Sequence, residues 1–170
     1  QVTAWLMAGG GYELWKEVYA KFNVVPFMGG NTGVQMGGWF NKEINNIDDL
    51  KGLKMRFFGL GAKVMQKLGV STQLLAPADI YPALERGVID ATELSFPSID
   101  LNFGYYQVAK NYYWPGVGEP SSAEECGVNL QAYEGLPDDL KQAVALACES
   151  LYNPVWTEYT TKHAAALQKL

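Results

Sequence analysis

The chain has 170 residues, a formal net charge of −5 and a hydrophobic fraction of 48%, which is ordinary for a globular protein with one sizeable core or the greater part of two linked lobes. Its only arginines are Arg56 and Arg86, so no basic stripe could neutralise a nucleic-acid backbone and nucleic acid is not an expected partner. No run of about 18 apolar residues is present, so we do not expect the chain to span a membrane.

The first forty residues predict one helix and two strands. Apolar residues at helical spacing predict a helix from about residue 11 to 22. A short strand is predicted over 23–27, and the glycine-rich segment 29–33 predicts a turn into a second strand over 34–40. We expect this turn to be a crossing between two lobes.

Strand and helix signals alternate from residue 53. The pattern predicts a strand over 53–57, a helix over 61–68 and a strand over 72–75. A second helix follows, with Asp79 as its predicted cap and Gly87 as its left-handed stop, and then a strand over 88–92. This alternation predicts an α/β fold with a mostly parallel, doubly wound sheet.

The last third of the chain is less regular. An aromatic, loop-like tract is predicted after Pro97, followed by a strand over 126–130. A long helix is predicted from Pro137 onward, with a kink at Pro154 because proline removes a backbone donor. Two cysteines, Cys126 and Cys148, have neither the spacing of a redox motif nor the company of enough histidines for a zinc site, and the sequence leaves open whether they are free or bridged.

Arg56 is the first candidate binding residue. It lies at the carboxyl end of a predicted parallel strand, where ligands collect in doubly wound folds, and its guanidinium can hold a carboxylate through two parallel hydrogen bonds. The following helix N-terminus would add partial positive charge. The alternative is an arginine paired with a nearby acid and no ligand.

Glu93 follows the neighbouring predicted strand, so we expect it at the same edge of the sheet as Arg56. It would balance that charge or bind a cation, and the alternative is a structural salt bridge to Arg56. Gln35 and Asn31, near the predicted crossing, are candidate hydrogen-bonding groups, although polar residues near glycine turns are common.

Motifs for catalysis are absent from the sequence. His163 stands alone on the terminal helix with no GxSxG serine or cysteine motif to pair with it, and we expect a solvated or packing histidine. Neither glycine cluster, at 9–11 or 59–61, has the residues of a P-loop or of a dinucleotide fingerprint. The sequence therefore predicts a binding protein and not an enzyme.

Two long motifs carry a family resemblance. The segments 47–56 (IDDLKGLKMR) and 80–93 (IYPALERGVIDATE) resemble the DctP-type solute receptors of TRAP (tripartite ATP-independent periplasmic) transporters. The segments 33–40 (GVQMGGWF) and 108–113 (VAKNYY) are similar to the branch that binds lactate and 2-oxo acids such as pyruvate. The resemblance covers essentially the whole chain.

The resemblance implies a two-lobed, periplasmic-binding-protein-like fold, of which this chain is a piece with one lobe nearly complete. Its expected organisation is a remnant of the N-terminal lobe and the crossing over 1–32, a second α/β lobe with the ligand site over 33–121, and a return strand with a long, kinked linking helix over 122–170. We therefore expect a longer, periplasmic protein that delivers a small carboxylate to the membrane permease subunits of a TRAP transporter.

The resemblance also implies roles for particular residues. Arg56 would clamp the carboxylate, while Gln35, Glu93 and the Leu94 carbonyl would bind a Na⁺ or Ca²⁺ ion that bridges to the ligand, with no organic cofactor. The expected ligand site comprises Arg56, Gln35, Glu93, Leu94, Asn31 and Phe96. Related receptors usually have tryptophan where this chain has Leu94, so a bulkier or branched acid is an expected alternative to pyruvate.

Two other functions stay open at this point. One is a small carboxylate-handling enzyme that uses Glu93 as its base. The other is a sensor or scaffold lobe that signals to a membrane partner without binding a small molecule.

Overall fold

The computed structural model describes residues 2–116, 118 and 122–170. Within them the helices are α1 (Val2–Ala8), α2 (Gly11–Ala20), α3 (Gly59–Lys67), α4 (Pro77–Glu85), α5 (Pro97–Phe103), α6 (Leu130–Glu134), α7 (Asp138–Ser150) and α8 (Tyr152–Leu167). The strands are β1 (Val24–Asn31), β2 (Gly38–Phe40), β3 (Lys54–Arg56), β4 (Ser71–Gln73), β5 (Ala91–Thr92), β6 (Asn111–Tyr113) and β7 (Ala123–Asn129). None of these helices combines the length and the apolar character that a bilayer crossing requires.

The chain divides into two compact units. Unit 1 comprises Gln1–Gly33 and Ser121–Thr160, and unit 2 comprises Val34–Pro120 and Thr161–Leu170. Helix α8 therefore contributes residues to both units. The three-segment organisation expected from the sequence stays a prediction, and its boundary at residue 121 lies outside the described residues.

Unit 1 is built around an antiparallel pair, β1 with β7. Alternate residues of β7 are half-buried and exposed, as expected for a strand covered on one face. Helix α7 packs on this pair, and Val25, Phe27 and Cys148 form its buried cluster. β1 stays paired with β7 as far as Asn31, so the prediction of a turn that begins at residue 29 is wrong. Cross-strand hydrogen bonds outweigh the preference of glycine for turns there.

Unit 2 contains a five-stranded sheet in the order β4-β3-β5-β2-β6. The pairs β3–β4 and β3–β5 are parallel, whereas β2 runs antiparallel to both β5 and β6. The predicted α/β class is confirmed, with the parallel arrangement restricted to β4, β3 and β5. Strands β3, which ends at Arg56, and β5, which Glu93 follows, are therefore parallel neighbours.

Helix α4 begins earlier than the sequence suggested. Its N-cap is Ala76 and its first residue is Pro77, because proline has a fixed φ suited to the first helical position and lacks only a donor that would be unpaired there. The prediction of Asp79 as the cap is therefore wrong. Asp79 lies in the first turn, where its charge interacts favourably with the helix dipole. Gly87 does end the helix in a left-handed conformation, with φ 67°.

The tract after Pro97 is more regular than predicted. Pro97 starts helix α5, and residues 111–113 form strand β6 at the edge of the sheet. Some of the aromatic residues that suggested a loop pack inside unit 2, whereas Trp114 is exposed. Tyr105 is fully buried, and the Tyr112 ring stacks on Trp39 with ring centroids 3.9 Å apart.

The predicted kinked helix is two helices. Helix α7 ends at Ser150 and α8 begins at Tyr152. Pro154 cannot donate to the carbonyl four residues earlier, which belongs to Ser150, and its ring clashes with that carbonyl. In the first turn of α8 the missing donor costs nothing, so the chain starts a new helix there.

A buried carboxylate links three elements of unit 2. Asp100 of α5 is 1% exposed, and its Oδ2 accepts hydrogen bonds from Trp39 Nε1 at 3.1 Å and from the Tyr112 hydroxyl at 2.8 Å. Its Oδ1 has no hydrogen-bond partner among the described residues. Burial raises the pKa of Asp100 to about 6, against the lowering effect of the two donors.

We expect the stability of the protein to depend on the protonation of Asp100. Between pH ~4 and pH ~6 the folded protein holds a proton that the unfolded chain has released, so the free energy of unfolding should fall as the pH rises through this range. The fall should be on the order of 2–3 kcal/mol for a shift of about two pKa units. Urea unfolding at pH 4–8 measures it.

Asp100→Asn should remove this pH dependence, because the amide keeps the shape and cannot ionise. The control is Asp79→Asn, which changes an exposed acid in the same unit and should leave the dependence as it is. A wild-type stability that rises between pH 4 and pH 6, or an unchanged slope in Asp100→Asn, would contradict the assignment.

Candidate functional site

The two charged candidates lie side by side at one edge of the sheet in unit 2. Arg56 ends β3, and Glu93 directly follows Thr92, which is the residue of β5 paired with Arg56. The Glu93 amide donates to the Arg56 carbonyl at 3.2 Å, and Nη1 of the Arg56 guanidinium donates to the Glu93 carbonyl. Backbone pairing therefore places both side chains at the carboxyl edge of the parallel strands.

The Arg56 guanidinium is buried, but not all of its nitrogens donate hydrogen bonds to described residues. Its side chain is 7% exposed, and Nε donates to the Leu75 carbonyl at 3.4 Å. Nη1 lies 3.9 Å from the Glu93 carboxylate, which is an ion pair too long for a direct hydrogen bond. Nη2 donates to no residue that the structure describes. The salt bridge considered from the sequence is thus present, yet it leaves one terminal nitrogen for a further acceptor.

Phe58 is a component of this site that the sequence did not single out. Its ring centre lies 5.2 Å from the guanidinium carbon of Arg56, within the range of a cation–π interaction. The ring is 38% exposed, so it forms a partly open wall beside the buried charge. A large apolar residue two positions after a strand-end arginine is the signal that could have indicated it.

Gln35 is held beside the Glu93 segment by backbone contacts. The Met36 amide donates to the Ser95 carbonyl at 3.3 Å, and the Gly116 amide donates to the Gln35 carbonyl at 2.9 Å. The Gln35 side chain is buried. The segment before β2 and the segment after β5 therefore run next to each other, as a shared site requires.

Gly38 permits the close approach of these two segments. Its φ is 119°, and a Cβ atom there would lie 2.4 Å from the Thr92 carbonyl oxygen. Only glycine combines this backbone conformation with so short a distance to a neighbouring backbone. Gly38 thus brings the chain that follows Gln35 against the backbone that leads into Glu93.

Leu94 and Phe96 have mainly packing contacts. The Leu94 side chain packs against the buried cluster that includes Trp39 and Ile80, so only its carbonyl is suited to binding a cation. Phe96 is 4% exposed, and its ring stacks on that of His163 with centroids 5.0 Å apart.

His163 is not isolated. Its Nδ1 lies 2.9 Å from the Ser98 hydroxyl oxygen, a contact that the sequence did not indicate. The two residues are 65 positions apart, which is why no local motif indicated the contact. The hydrogen bond and the stacking on Phe96 hold the end of α8 within unit 2, as expected for a packing histidine.

Asn31 lies in unit 1, whereas the other candidates lie in unit 2. Its Oδ1 accepts a hydrogen bond from the Gly33 amide at 2.8 Å, and its Nδ2 donates to the Thr3 hydroxyl at 3.3 Å. The amide therefore stabilises the turn that leaves β1.

The candidate cation ligands are all oxygen atoms. They are the Glu93 carboxylate, the Gln35 amide oxygen and the Leu94 carbonyl, a donor set that suits a hard cation and not zinc or copper. In the part of the chain that the structure describes, no three His, Cys, Asp or Glu side chains form a metal cluster. A cation here would therefore depend on amide and carbonyl oxygens, and on oxygens of the ligand itself.

A cavity of about 630 Å³ lies elsewhere, in unit 1. Its lining comes from α1, α2, β1, α7 and α8, and includes Leu6, Tyr12, Met28, Ala145 and Tyr152. None of the six predicted ligand residues lines it. The candidate site in unit 2 therefore rests on the arrangement of charged and polar groups.

Comparison with known proteins gives a consistent result. The chain is 44% identical over all 170 residues to a monocarboxylate 2-oxoacid-binding periplasmic protein of Nostoc sp. strain PCC 7120, and covers 47% of that protein. The chain thus spans about half the length of the curated relatives it matches.

Solved structures of similar proteins include two with a cation and pyruvate. A TRAP periplasmic solute-binding protein of Pseudoalteromonas atlantica, solved with sodium and pyruvate, is 44% identical with a TM-score of 0.85, over 98% of this chain and 50% of that one. One from Colwellia psychrerythraea, solved with calcium and pyruvate, is 41% identical with a TM-score of 0.89, over 99% of this chain and 51% of that one.

The family model described as bacterial extracellular solute-binding protein, family 7 (DctP) matches residues 1–170. That family consists of transport receptors and not of enzymes, and its members are extracellular or periplasmic. Together with the α/β fold and the edge of the sheet that carries Arg56 and Glu93, this match shows that the chain belongs to the DctP family of extracellular solute-binding proteins.

Proposed function

We propose that the protein is a periplasmic receptor that binds a small monocarboxylate, with a 2-oxo acid as the leading candidate, and delivers it to the permease of a TRAP transporter. The observation that carries this proposal is the state of Arg56. Its guanidinium is buried, two of its nitrogens are hydrogen-bonded within the protein, and Nη2 donates to no described residue. A buried guanidinium with a remaining donor is suited to a carboxylate.

A cation is the second part of the proposal. Glu93 is buried beside the arginine, and Gln35 and the Leu94 carbonyl add neutral oxygens from adjacent segments. Sodium or calcium would be held by these oxygens and would complete its coordination with the carboxylate and keto oxygens of a 2-oxo acid. The relatives solved with sodium or calcium and pyruvate support this assignment.

The residue at position 94 bears on which acid is bound. The Leu94 side chain packs against the hydrophobic cluster of unit 2, whereas the resemblance leads one to expect tryptophan there. Leucine has a smaller volume, so the ligand site should tolerate a longer or branched chain on the acid. Phe58, partly exposed beside Arg56, would contact that chain.

Calorimetric titration of the full-length protein with pyruvate, lactate and longer 2-oxo acids tests the proposal. Arg56→Lys keeps the positive charge but loses the planar pair of donors, so we expect the Kd for the bound acid to rise by at least ~10-fold. The matched control is Arg86→Lys, since Arg86 is the other arginine and is exposed. A folded protein that binds none of the acids would favour the scaffold alternative, and catalytic turnover of an acid would favour an enzyme.

Replacing the proposed cation ligand Glu93 should make the Kd for the acid independent of the cation. In Glu93→Gln the Kd for the acid should no longer fall when sodium or calcium is added to metal-free buffer, because the amide lacks the charge that binds the ion. Glu85→Gln, at an exposed position on α4, is the control and should keep the cation dependence. If the wild type binds the acid with the same affinity with and without sodium or calcium, the proposed role of the cation is wrong.

Phe58→Ala should weaken acid binding about 2- to 5-fold, the loss expected when a cation–π contact of ~0.5–1 kcal/mol is removed from the guanidinium. Phe58→Trp should preserve most of the affinity. The control is Phe103→Ala, because Phe103 has the same 38% exposure and its ring stacks on Tyr105. Equal loss in both alanine variants would indicate a general effect on folding.

A further inference from the structure

The two cysteines lie in one packed layer of unit 1. Cys126 is on β7, directly paired with Phe27 of β1, and opposite residues of an antiparallel pair share a face of the sheet. Cys148 is on α7, one turn after Val144. The face that carries Phe27 and Cys126 is the one that α7 covers, since Phe27 and Cys148 belong to one buried cluster and Cys126 packs against it.

A glycine leaves room for the Cys126 sulfur. A Cβ atom at Gly29 would lie 3.2 Å from Cys126 Sγ, closer than an ordinary contact. Gly29 has no side chain of its own, so the sulfur lies over the β1 backbone and under α7. The thiol is thereby directed into the layer between the sheet and the helix.

The two thiols interact with each other. The pKa of Cys148 is raised by burial first and then by the neighbouring Cys126 thiol. Cys148 is buried, and Cys126 is half-buried. Cys126 is therefore the thiol that an external reagent reaches first.

We propose that Cys126 and Cys148 form a disulfide that fastens α7 to β7. This inference is independent of the ligand site. It rests on the facing positions of the thiols, the space above Gly29, and membership of an extracellular solute-binding family, whose compartment is oxidising.

The reaction is thiol–disulfide exchange with a small disulfide such as oxidised glutathione. The Cys126 thiolate attacks one sulfur of glutathione disulfide, forming a mixed disulfide and releasing one glutathione thiolate. The Cys148 thiolate then attacks the Cys126 sulfur of the mixed disulfide, which forms the protein disulfide and releases the second glutathione. Each cysteine loses one proton, the protein is oxidised by two electrons, and glutathione disulfide is reduced to two thiols.

The bond would stabilise unit 1. It closes a loop from β7 through α6 to α7, which reduces the conformational entropy of the unfolded chain. It also tethers the helix that covers the antiparallel pair. A two-stranded antiparallel pair has only marginal stability by itself. The disulfide would therefore stabilise the packing of α7 on the pair of β1 and β7.

Peptide mapping of the full-length protein, treated with oxidised glutathione and alkylated under denaturing conditions, tests the proposal. Trypsin can cut after Lys141, between the two cysteines. The expected product is a cross-linked pair of peptides that is lighter than its two parts by the mass of two hydrogen atoms and separates on reduction. Both cysteines recovered in alkylated form, or each carrying glutathione, would overturn the proposal.

Thermal unfolding gives a second readout. The oxidised wild type should unfold at a higher temperature than the reduced protein, whereas Cys126→Ser and Cys148→Ser should each unfold at the same temperature in both conditions. An oxidised wild type that unfolds at the temperature of the reduced protein would refute the stabilising tether. If a serine variant fails to fold, the peptide map of the wild type still decides whether the bond forms.

Discussion

The parallel pairing of β3 with β5 is the constraint on which the candidate site depends. It aligns Arg56 with Thr92, so the amide of the next residue reaches the Arg56 carbonyl and the guanidinium reaches back to the Glu93 carbonyl. A shift of the register by one residue would turn the arginine to the opposite face of the sheet. The same hydrogen bonds that form the fold therefore determine where its buried positive charge points.

Burying a guanidinium is costly, by several kcal/mol for an unpaired ion, and unit 2 offsets this cost only in part. Backbone carbonyls accept from Nε and Nη1, and the Phe58 ring covers the cation from one side. The Glu93 carboxylate, at 3.9 Å from Nη1, attracts the guanidinium without a direct hydrogen bond to it. An anionic ligand that accepts from Nη2 would complete the hydrogen bonding of the guanidinium. This gives a physical reason why such a site would prefer a carboxylate.

A second buried ionisable group of unit 2, Asp100, has different surroundings from Arg56. Asp100 accepts from two donors and forms no ion pair with any residue that the structure describes, and burial raises its pKa to about 6. One of the donors, Trp39, is also the residue of β2 that pairs with Thr92. The Asp100 network thus supports the strand that lies against β5 and follows the Gln35 segment.

The sequence by itself determined the α/β class, most elements between residues 53 and 92, and the two charged candidates, because hydrophobic periodicity, glycine stops and strand ends are local signals. Local signals also misplaced the cap at Asp79 and merged α7 with α8 across Pro154. Only the tertiary structure decided that Phe58 covers the guanidinium, that His163 contacts Ser98 and that Cys126 faces Cys148. These contacts join residues brought together by strand pairing and helix packing, and neither their distances nor the burial of their charges is encoded in any short stretch of chain.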